Sequence, residues 1–333
     1  MGVDAPLGDF GDVLYNSALA IYILAMLLHA IEHGLLRRAA PEAVGAPVPV
    51  AVGASSGGTG TGTTTDVADR PEVPAGRPLS ERFGRMGVSL TVLGFALHLA
   101  MLVVRGVAAG RPPWGNMYEF TAAVCLVGVG AWLVVLYRRP ELGRLGVFVL
   151  LPVILLMFLG GTVLYTQTAP VVPALRSYWL VIHVSAAVIS SGILLFAGVA
   201  SVLYLLRATH DSSRADDSPG RMAWTTRLPA ADVLDRVAYR ATAVAFPIWT
   251  FAVICGAIWA EAAWGRYWGW DPKETTAFIA WVVYAGYLHA RSTAGWRGRK
   301  AAVVNVVGLA VMVFNLFFVN LVVTGLHSYA GVG

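Results

Sequence analysis

Long, uninterrupted apolar runs limit the folds that this chain can adopt more than any other feature of its sequence. A helix needs about 20 apolar residues to cross the hydrocarbon layer of a bilayer. Eight runs meet or approach that length, at residues 13–36, 86–106, 117–137, 145–165, 178–206, 241–262, 275–291 and 302–326. Backbone groups in lipid must be hydrogen-bonded within the membrane, and these runs lack the apolar–polar alternation of barrel strands. The sequence therefore predicts an all-α polytopic membrane helix bundle with about eight transmembrane helices.

The composition agrees with a membrane protein and its charge distribution predicts an orientation. Only 13% of the residues are charged, against 57% that are hydrophobic, and soluble domains carry about 25% charged residues. Four loops hold 19 of the 24 lysines and arginines, at 37–85, 138–144, 207–240 and 291–300. The positive-inside rule puts these loops in the cytoplasm, so both termini are predicted to lie outside. The basic residues do not form a face with stacking aromatics, so no nucleic-acid partner is expected.

The sequence divides the chain into three segments. Residues 1–40 are predicted to hold the first transmembrane helix, and residues 41–80 a flexible cytoplasmic linker rich in Gly, Thr and Pro. Residues 81–333 are predicted to form one transmembrane domain. In the cytoplasmic loop at 207–240 we expect a solvated His210 and a short interfacial helix over 231–240 that leads into the sixth span. Both cysteines lie in apolar runs and no Cys-x-x-Cys is present, which argues against a thiol–disulfide activity.

The loop before the seventh run is unusually aromatic. Residues 264–274 read W-G-R-Y-W-G-W-D-P-K-E, with Trp264, Trp268 and Trp270 close together. Interfacial anchoring does not require three tryptophans in one loop, so we interpret them as a flat surface for a planar ligand. Three other tryptophans have the ordinary interpretation of membrane-interface anchors, namely Trp114, Trp179 and Trp259.

The end of this loop has the pattern of a helix start. Asp271 is predicted to be the N-cap, Pro272 the first helical residue and Glu274 the third, which is the spacing of a capping box. The positive helix terminus, together with Arg266 or Lys273, is a hypothetical site for an anion.

Histidines in apolar runs are the remaining candidates. His183 and His327 are predicted at the outer face, level with the tryptophan-rich loop, where two imidazoles suit axial ligation of a haem iron. The alternative is that they are interfacial histidines with an ordinary polar tip. His29, His33, His98 and His289 lie in or near other spans, where each contributes either to a second, inner site or to hydrogen bonds between helices.

These residues resemble a known family. The stretch W-G-R-Y-W-G-W-D-P-K-E-T is similar to the tryptophan-rich "WWD" signature of haem-handling proteins in cytochrome c biogenesis, and the chain resembles the CcsA (ResC) family of System II, called CcsB in some actinobacteria. Supporting stretches are G-N-M-Y-E-F at 115–120, R-S-Y-W-L-V-I-H-V at 176–184, F-P-I-W-T-F-A-V-I-C-G-A-I-W-A at 246–260, Y-L-H-A-R at 287–291 and G-L-H-S-Y at 325–329. The resemblance covers residues 80–330.

The resemblance implies a subunit of the cytochrome c synthase, in the plasma membrane, that carries haem b to the outer face. It implies axial ligands His183 and His327 in the outer site. It implies an inner site at His289, with a second histidine from a CcsB/ResB-type partner subunit. The porphyrin would be held by Trp264, Trp268, Trp270 and Asp271, with Tyr267, Arg266, Lys273 and His98 as further candidates. The other implied partners are an apocytochrome c with a Cys-x-x-Cys-His motif and a thiol-reducing membrane thioredoxin pathway.

Two alternatives stay open at this point. A CcmC-type haem exporter or handler shares the signature without synthase activity, and a b-type electron-transfer membrane protein could use the same histidines. The CcmC type has about six spans and the related CcmF type is about twice as long. The length and the eight predicted spans favour CcsA.

Overall fold

A computed structural model describes residues 4–35, 78–170, 175–215, 223–293, 295–323 and 325. The predicted linker at 41–80 lies almost wholly outside these residues, and His327 lies outside them too. The described residues form helices joined by short loops and contain no strand, so the predicted all-α membrane bundle is confirmed. The predicted orientation of the termini and the single domain over 81–333 stay predictions.

Nine α-helices and two short 3-10 helices make up the described part of the chain. The 3-10 helices cover Pro140–Leu145 and Ala223–Arg227. The α-helices are α1 Ala5–Leu35, α2 Leu79–Ala109, α3 Met117–Arg138, α4 Gly146–Thr162, α5 Tyr178–Ala215, α6 Ala231–Trp264, α7 Pro272–Ser292, α8 Arg299–Leu316 and α9 Phe318–Leu321.

Seven helical segments of the described chain are long and apolar enough to cross a membrane. They contain α1 to α6 and the pair α8–α9, each over one predicted span. The remaining predicted span corresponds to α7, which has 21 residues but does not meet the same criterion of apolarity. Charged residues lie near both of its ends, such as Lys273 and Arg291, and two tyrosines and His289 lie between them. The structure therefore shows α7 as a helix of the bundle that is more polar than its neighbours.

One expectation about the cytoplasmic loops was wrong. His210 is not solvated in a loop: it lies in α5, which has 38 residues, and only 5% of its surface is exposed. The helix expected over 231–240 is present and runs without a break into the sixth span, because these residues are the first turns of the 34-residue helix α6.

Glycines allow α1 and α2 to pack closely against each other. Tyr22 and His29, seven residues apart on α1, lie against Gly94 and Gly87 of α2, where a Cβ atom would fall 2.8 and 2.9 Å from their rings. Small residues at such contacts let helix backbones approach in a membrane. His98 of α2 is fully buried in this interface and its ring lies edge-on to Tyr22 at 5.9 Å.

Helices α5, α6 and α8 form the centre of the second half of the bundle. A hydrogen bond of 2.7 Å from Asn305 Nδ2 of α8 to Thr242 Oγ1 of α6 fixes the relative height of these two helices, which run in the same direction. Both side chains are fully buried, so the bond is made in a low-dielectric environment where an unpaired polar group would be costly. The relative height of α6 and α8 determines which of their residues face each other.

Candidate functional site

A large, mainly apolar cavity lies between α3, α5, α6, α7 and α8. Its wall includes His183 of α5, three residues of the tryptophan-rich loop and Lys273 at the start of α7. The lining residues of a helix recur at helical spacing, so one face of the helix lines the cavity. On α6 this stripe consists of Trp249, Ala252, Val253, Gly256, Ala257, Trp259, Ala260 and Trp264. An apolar wall with a few polar groups is typical of a small-molecule or cofactor site.

His183 is held in one tautomer by the backbone of α6. Its Nδ1 atom lies 2.7 Å from the carbonyl oxygen of Ala252. Because a carbonyl oxygen can only accept a hydrogen bond, the proton is on Nδ1 and the lone pair is on Nε2. Hydrogen bonds of this kind orient metal-ligating histidines and make them stronger donors to the metal. In this tautomer Nε2 is the ring nitrogen that carries the lone pair.

The imidazole of His183 is also enclosed by its neighbours on α6. A Cβ atom on Gly256 would fall 2.7 Å from its Cε1 atom, so only glycine leaves room for the ring. Trp259, which is 2% exposed, lies nearly parallel to the imidazole, with 9° between the planes and 6.3 Å between the centroids. The ring thus has little freedom to turn away from its present orientation.

The tryptophan-rich loop contributes unevenly to the cavity. Trp264, Tyr267 and Trp268 line the cavity, whereas Trp270 does not and is 66% exposed. The ring of Trp270 lies edge-on to that of Trp268 at 5.8 Å. Trp270 also has a φ of 55°, and no other described non-glycine residue has a positive φ. A bulky residue in this conformation stores strain, which is a feature of functional sites.

The predicted capping box at the end of the loop is confirmed. The Asp271 carboxylate accepts a hydrogen bond of 3.2 Å from the N–H of Lys273, and the Glu274 carboxylate accepts one of 3.2 Å from the N–H of Asp271. Glu274 also accepts a hydrogen bond of 2.8 Å from the N–H of Gly269. One carboxylate therefore fixes the backbone on both sides of Trp270, and the cap positions the loop as well as starting α7.

The two candidate cations differ in position. Lys273 lines the cavity, and its ammonium group donates a hydrogen bond of 2.6 Å to Oδ1 of Asn320. Burial lowers the pKa of Lys273 to about 8, and the nearby Asp271 carboxylate opposes that shift. Arg266 is exposed, lies across Gly269 and is not part of the cavity wall. Of the two, Lys273 is placed to meet a ligand anion in the cavity.

The remaining histidine candidates lie elsewhere. Gly325, two residues before His327, is the nearest described residue to that histidine, and a Cβ atom on it would fall 2.6 Å from Oδ1 of Asp271. The chain therefore reaches the tryptophan-rich loop just before His327. His289 is exposed near the opposite end of α7. The buried His98 belongs to the α1–α2 interface and does not line the cavity.

Three tryptophans that the sequence did not single out line the same cavity. Trp114 and Trp259 were interpreted as interface anchors, but both belong to the wall, as does Trp249. Helical spacing was an available signal for Trp249, since residues 249, 256, 260 and 264 fall on one face of a helix. No such signal exists for Trp114, which lies in the loop before α3.

A buried ionic network holds the Trp114 loop. The fully buried Glu119 carboxylate accepts hydrogen bonds from Arg111 at 2.7 Å and from the Gly115 N–H at 3.0 Å. Arg105, also fully buried, lies 3.4 Å from Glu119 and 2.9 Å from Asp12 of α1. Two cations and two carboxylates thus balance one another in a low-dielectric setting, where removal of one partner is strongly destabilising. The network ties α1, α2 and α3 together directly behind one cavity wall.

The chain is similar to known proteins of cytochrome c biogenesis. A profile of the family described as "Cytochrome C assembly protein" matches residues 114–327. "Cytochrome c biogenesis protein CcsA" of Parasynechococcus marenigrum (strain WH8102) is 35% identical over 261 residues, which are 72% of this chain and 85% of that protein. The protein of the same name from Chlamydomonas reinhardtii is 36% identical over 73% of this chain and 67% of its own length. That from Thermosynechococcus vestitus is 33% identical over 76% of this chain and 88% of its own.

Proposed function

Because the chain belongs to the cytochrome c assembly family, and within it to the CcsA proteins, we propose that it delivers haem b to the outer face of the plasma membrane for attachment to apocytochrome c. It is a multi-pass membrane protein of cytochrome c biogenesis. In the proposal it is a subunit of the cytochrome c synthase.

The orientation of His183 carries the proposal. Its Nδ1–H group is bound to Ala252, its ring is enclosed by Gly256 and Trp259, and the remaining nitrogen is the one that can bind iron. The aromatic and aliphatic wall of the cavity is suited to the faces of a porphyrin. Lys273 supplies one cation for a haem carboxylate. The residues present therefore fit haem as a substrate.

His327 is proposed as the second axial ligand of this outer site. The support is the approach of the chain to Asp271 at Gly325, two residues earlier. Ligation by two histidines keeps iron six-coordinate and tunes its potential. When the apocytochrome binds, the histidine of its own Cys-x-x-Cys-His motif can replace one of the two, which weakens the hold of this chain on the product.

The reaction that we propose at this site is addition of two cysteine thiols to the two vinyl groups of haem. In each addition the S–H bond breaks, a C–S bond forms, and the proton goes to the other vinyl carbon, so no net oxidation or reduction occurs. Such an addition depends mainly on holding the reacting groups together in the right orientation. The role of the chain is thus to hold and orient haem while an apolar wall limits the access of water.

The partners of the chain are part of the same proposal. His289 is exposed on the most polar helix of the bundle, which suits an inner haem site completed by a histidine of a CcsB/ResB-type subunit. A thiol-reducing membrane thioredoxin pathway would keep the cysteines of the apocytochrome reduced. Ligation at His289 and at the outer site can be separated, because the two lie near opposite ends of α7.

A reconstitution experiment tests the function. The chain and a CcsB/ResB-type subunit are produced with an apocytochrome c in a host that lacks its own maturation system, and covalent haem is measured on a denaturing gel. We expect covalent haem with the unchanged chain and its loss in His183→Gly, with partial recovery when imidazole is added. Recovery by a free ligand would identify His183 as an iron ligand, which a purely structural role does not predict.

The outcomes separate the alternatives. Haem that binds to the chain but is never attached, with both subunits folded, contradicts the synthase and favours a haem handler of the CcmC type. Reversible redox cycling of a stably bound b-type haem, without transfer to the apocytochrome, favours an electron-transfer protein.

A further inference from the structure

Three buried polar groups in the cavity wall have no hydrogen-bond partner among the described residues. One is the indole N–H of Trp114, in the loop before α3. The other two are the indole N–H of Trp249 on α6 and the Oδ1 atom of Asn315 on α8, whose residues are 7% and 6% exposed. A buried donor or acceptor without a partner costs about 1–3 kcal/mol. Trp249 and Asn315 thus offer one donor and one acceptor to a ligand group in the cavity.

The two groups lie within about one helical turn of each other in height. The hydrogen bond between Thr242 and Asn305 joins α6 to α8. Trp249 follows Thr242 by seven residues and Met312 follows Asn305 by seven, and Trp249 and Met312 belong to one buried cluster. Asn315 is about one helical turn beyond Met312. One donor and one acceptor are therefore presented to the cavity from neighbouring helices, about one turn apart along the axis.

This pair lies at a definite distance from His183. On α6, the His183 ring contacts Ala252, three residues beyond Trp249, and Gly256, seven residues beyond it, so the ring lies about 5–10 Å from Trp249 along the helix axis. That distance is comparable with the reach of the carboxyl side chains of a porphyrin from its metal centre. A ligand whose metal is bound by His183 can thus place a carboxyl group against Trp249 and Asn315.

A strip of polar groups connects the pair to Lys273. The Lys273 ammonium donates to Asn320 Oδ1, and the Asn320 amide donates to the carbonyl of Leu316 at 2.5 Å and approaches that of Asn315 at 3.4 Å. Lys273, Asn315, Leu316 and Asn320 all belong to the cavity wall. The two carboxyl groups of haem are on one edge of the macrocycle, so this strip along α8 can meet both.

We propose that Trp249 and Asn315 bind one carboxyl group of haem in its protonated form. The indole N–H donates to the carboxyl C=O, and Asn315 Oδ1 accepts from the carboxyl O–H. The second carboxyl group, ionised, is bound by Lys273. An apolar environment favours the neutral form of a carboxylic acid, and a neutral acid offers one donor and one acceptor, which matches this pair.

The orientation of haem follows from this assignment. The carboxyl edge faces α8, so the part of the macrocycle that carries the vinyl groups is turned away from α8. The inference rests on the proposed function and extends it, since it specifies how the substrate is held. Trp249 and Asn315 are therefore positioning residues for attachment, because neither contacts the reacting vinyl carbons in this arrangement.

Titration of the purified chain with haem and with haem dimethyl ester tests the proposal. The ester keeps both C=O groups and loses the O–H group and the negative charge. We expect Asn315→Leu to weaken binding of haem about fivefold, as for the loss of one hydrogen bond, and to leave binding of the ester unchanged. Trp249→Phe is expected to weaken binding of both ligands by a similar factor.

A matched control is available in Trp281. Its indole N–H donates to Thr250 Oγ1 at 2.9 Å, and it does not line the cavity. Trp281→Phe removes the same kind of donor and is expected to leave both affinities unchanged. Circular dichroism and elution volume in detergent show whether Asn315→Leu folds. If it does not, haem and ester binding are compared between Trp249→Phe and Trp281→Phe.

The possible failures can be told apart. If the unchanged chain binds haem with the spectrum of axial histidine ligation, but Asn315→Leu and Trp249→Phe bind haem as well as it does, the carboxyl assignment is wrong and the proposed function stands. If the unchanged chain binds neither haem nor its ester, the proposed function and this inference both fail.

Discussion

The His183 ring occupies the space that a side chain on Gly256 would need. The separation of 2.7 Å between the His183 Cε1 atom and a Cβ atom built on Gly256 is far shorter than van der Waals contact. The hydrogen bond from the same ring to Ala252, one turn earlier on α6, fixes its direction. A glycine and a backbone carbonyl of one helix thus position the proposed ligand of another.

Gly256→Ala is expected to impair haem binding by displacing His183. The added methyl group must push the ring or separate α5 from α6, and overpacking of this kind costs about 1–3 kcal/mol. Haem occupancy, measured by absorbance and pyridine haemochrome, should fall at least several-fold. Gly286→Ala is the matched control: it lies within α7, nothing lies within 4 Å of its Cβ position, and alanine is the better helix former. Equal haem occupancy in the two variants would show that Gly256 does not position His183.

Glu274→Ala is expected to loosen the tryptophan-rich loop. The Glu274 carboxylate binds the N–H groups of Gly269 and Asp271, and loss of such a cap costs about 1 kcal/mol. We expect a lower thermal midpoint and weaker haem binding, because Trp264 and Trp268 lose their fixed orientation. Glu261→Ala removes an exposed carboxylate at the end of α6 and should change neither. If Glu274→Ala binds haem as tightly as the unchanged chain, the Glu274 cap does not contribute to haem binding.

The pH dependence of haem binding is expected to depend on Lys273. Its lowered pKa, about 8, means that the cationic form is lost as the pH rises through that value. A neutral amine no longer attracts a carboxylate, so affinity should decrease between pH 7 and 9. Lys273→Arg keeps its charge over this range and should flatten the dependence, whereas Lys273→Met should be uniformly weaker. Titrations with the three proteins at both pH values measure the difference, and parallel pH profiles would exclude this role for Lys273.

The sequence predicted the bundle because its two strongest signals are local. Apolar runs of bilayer length determine helices, and the Asp271–Glu274 spacing determines a helix start, so both were confirmed. The amphipathic turns at 231–240 are another local signal, and the structure shows that they continue into the apolar part of α6 without a break.

The site was harder to predict because it depends on which helices meet. Trp249 and Asn315 are 66 residues apart in the chain, and contacts such as the Thr242–Asn305 hydrogen bond bring their helices together. The unequal positions of Trp268 and Trp270 accompany the positive φ at Trp270, which no pattern of residue types indicates. Proposals for His327 and for the partner's histidine stay predictions.

Asn315→Leu is expected to stabilise the chain in the absence of haem. The Oδ1 atom of Asn315 is buried without a hydrogen-bond partner among the described residues, and leucine has a similar size without a polar atom. Replacing such a group by an apolar one recovers the cost of its burial, so the thermal midpoint of the haem-free protein should rise. With haem bound the gain should shrink or reverse, because the unchanged chain then regains its hydrogen bond and ligand binding adds to its stability. Thermal unfolding in detergent, followed by circular dichroism, measures the change in thermal midpoint without haem and with haem. A variant that is less stable in both states would indicate that Asn315 supports the fold and not the ligand.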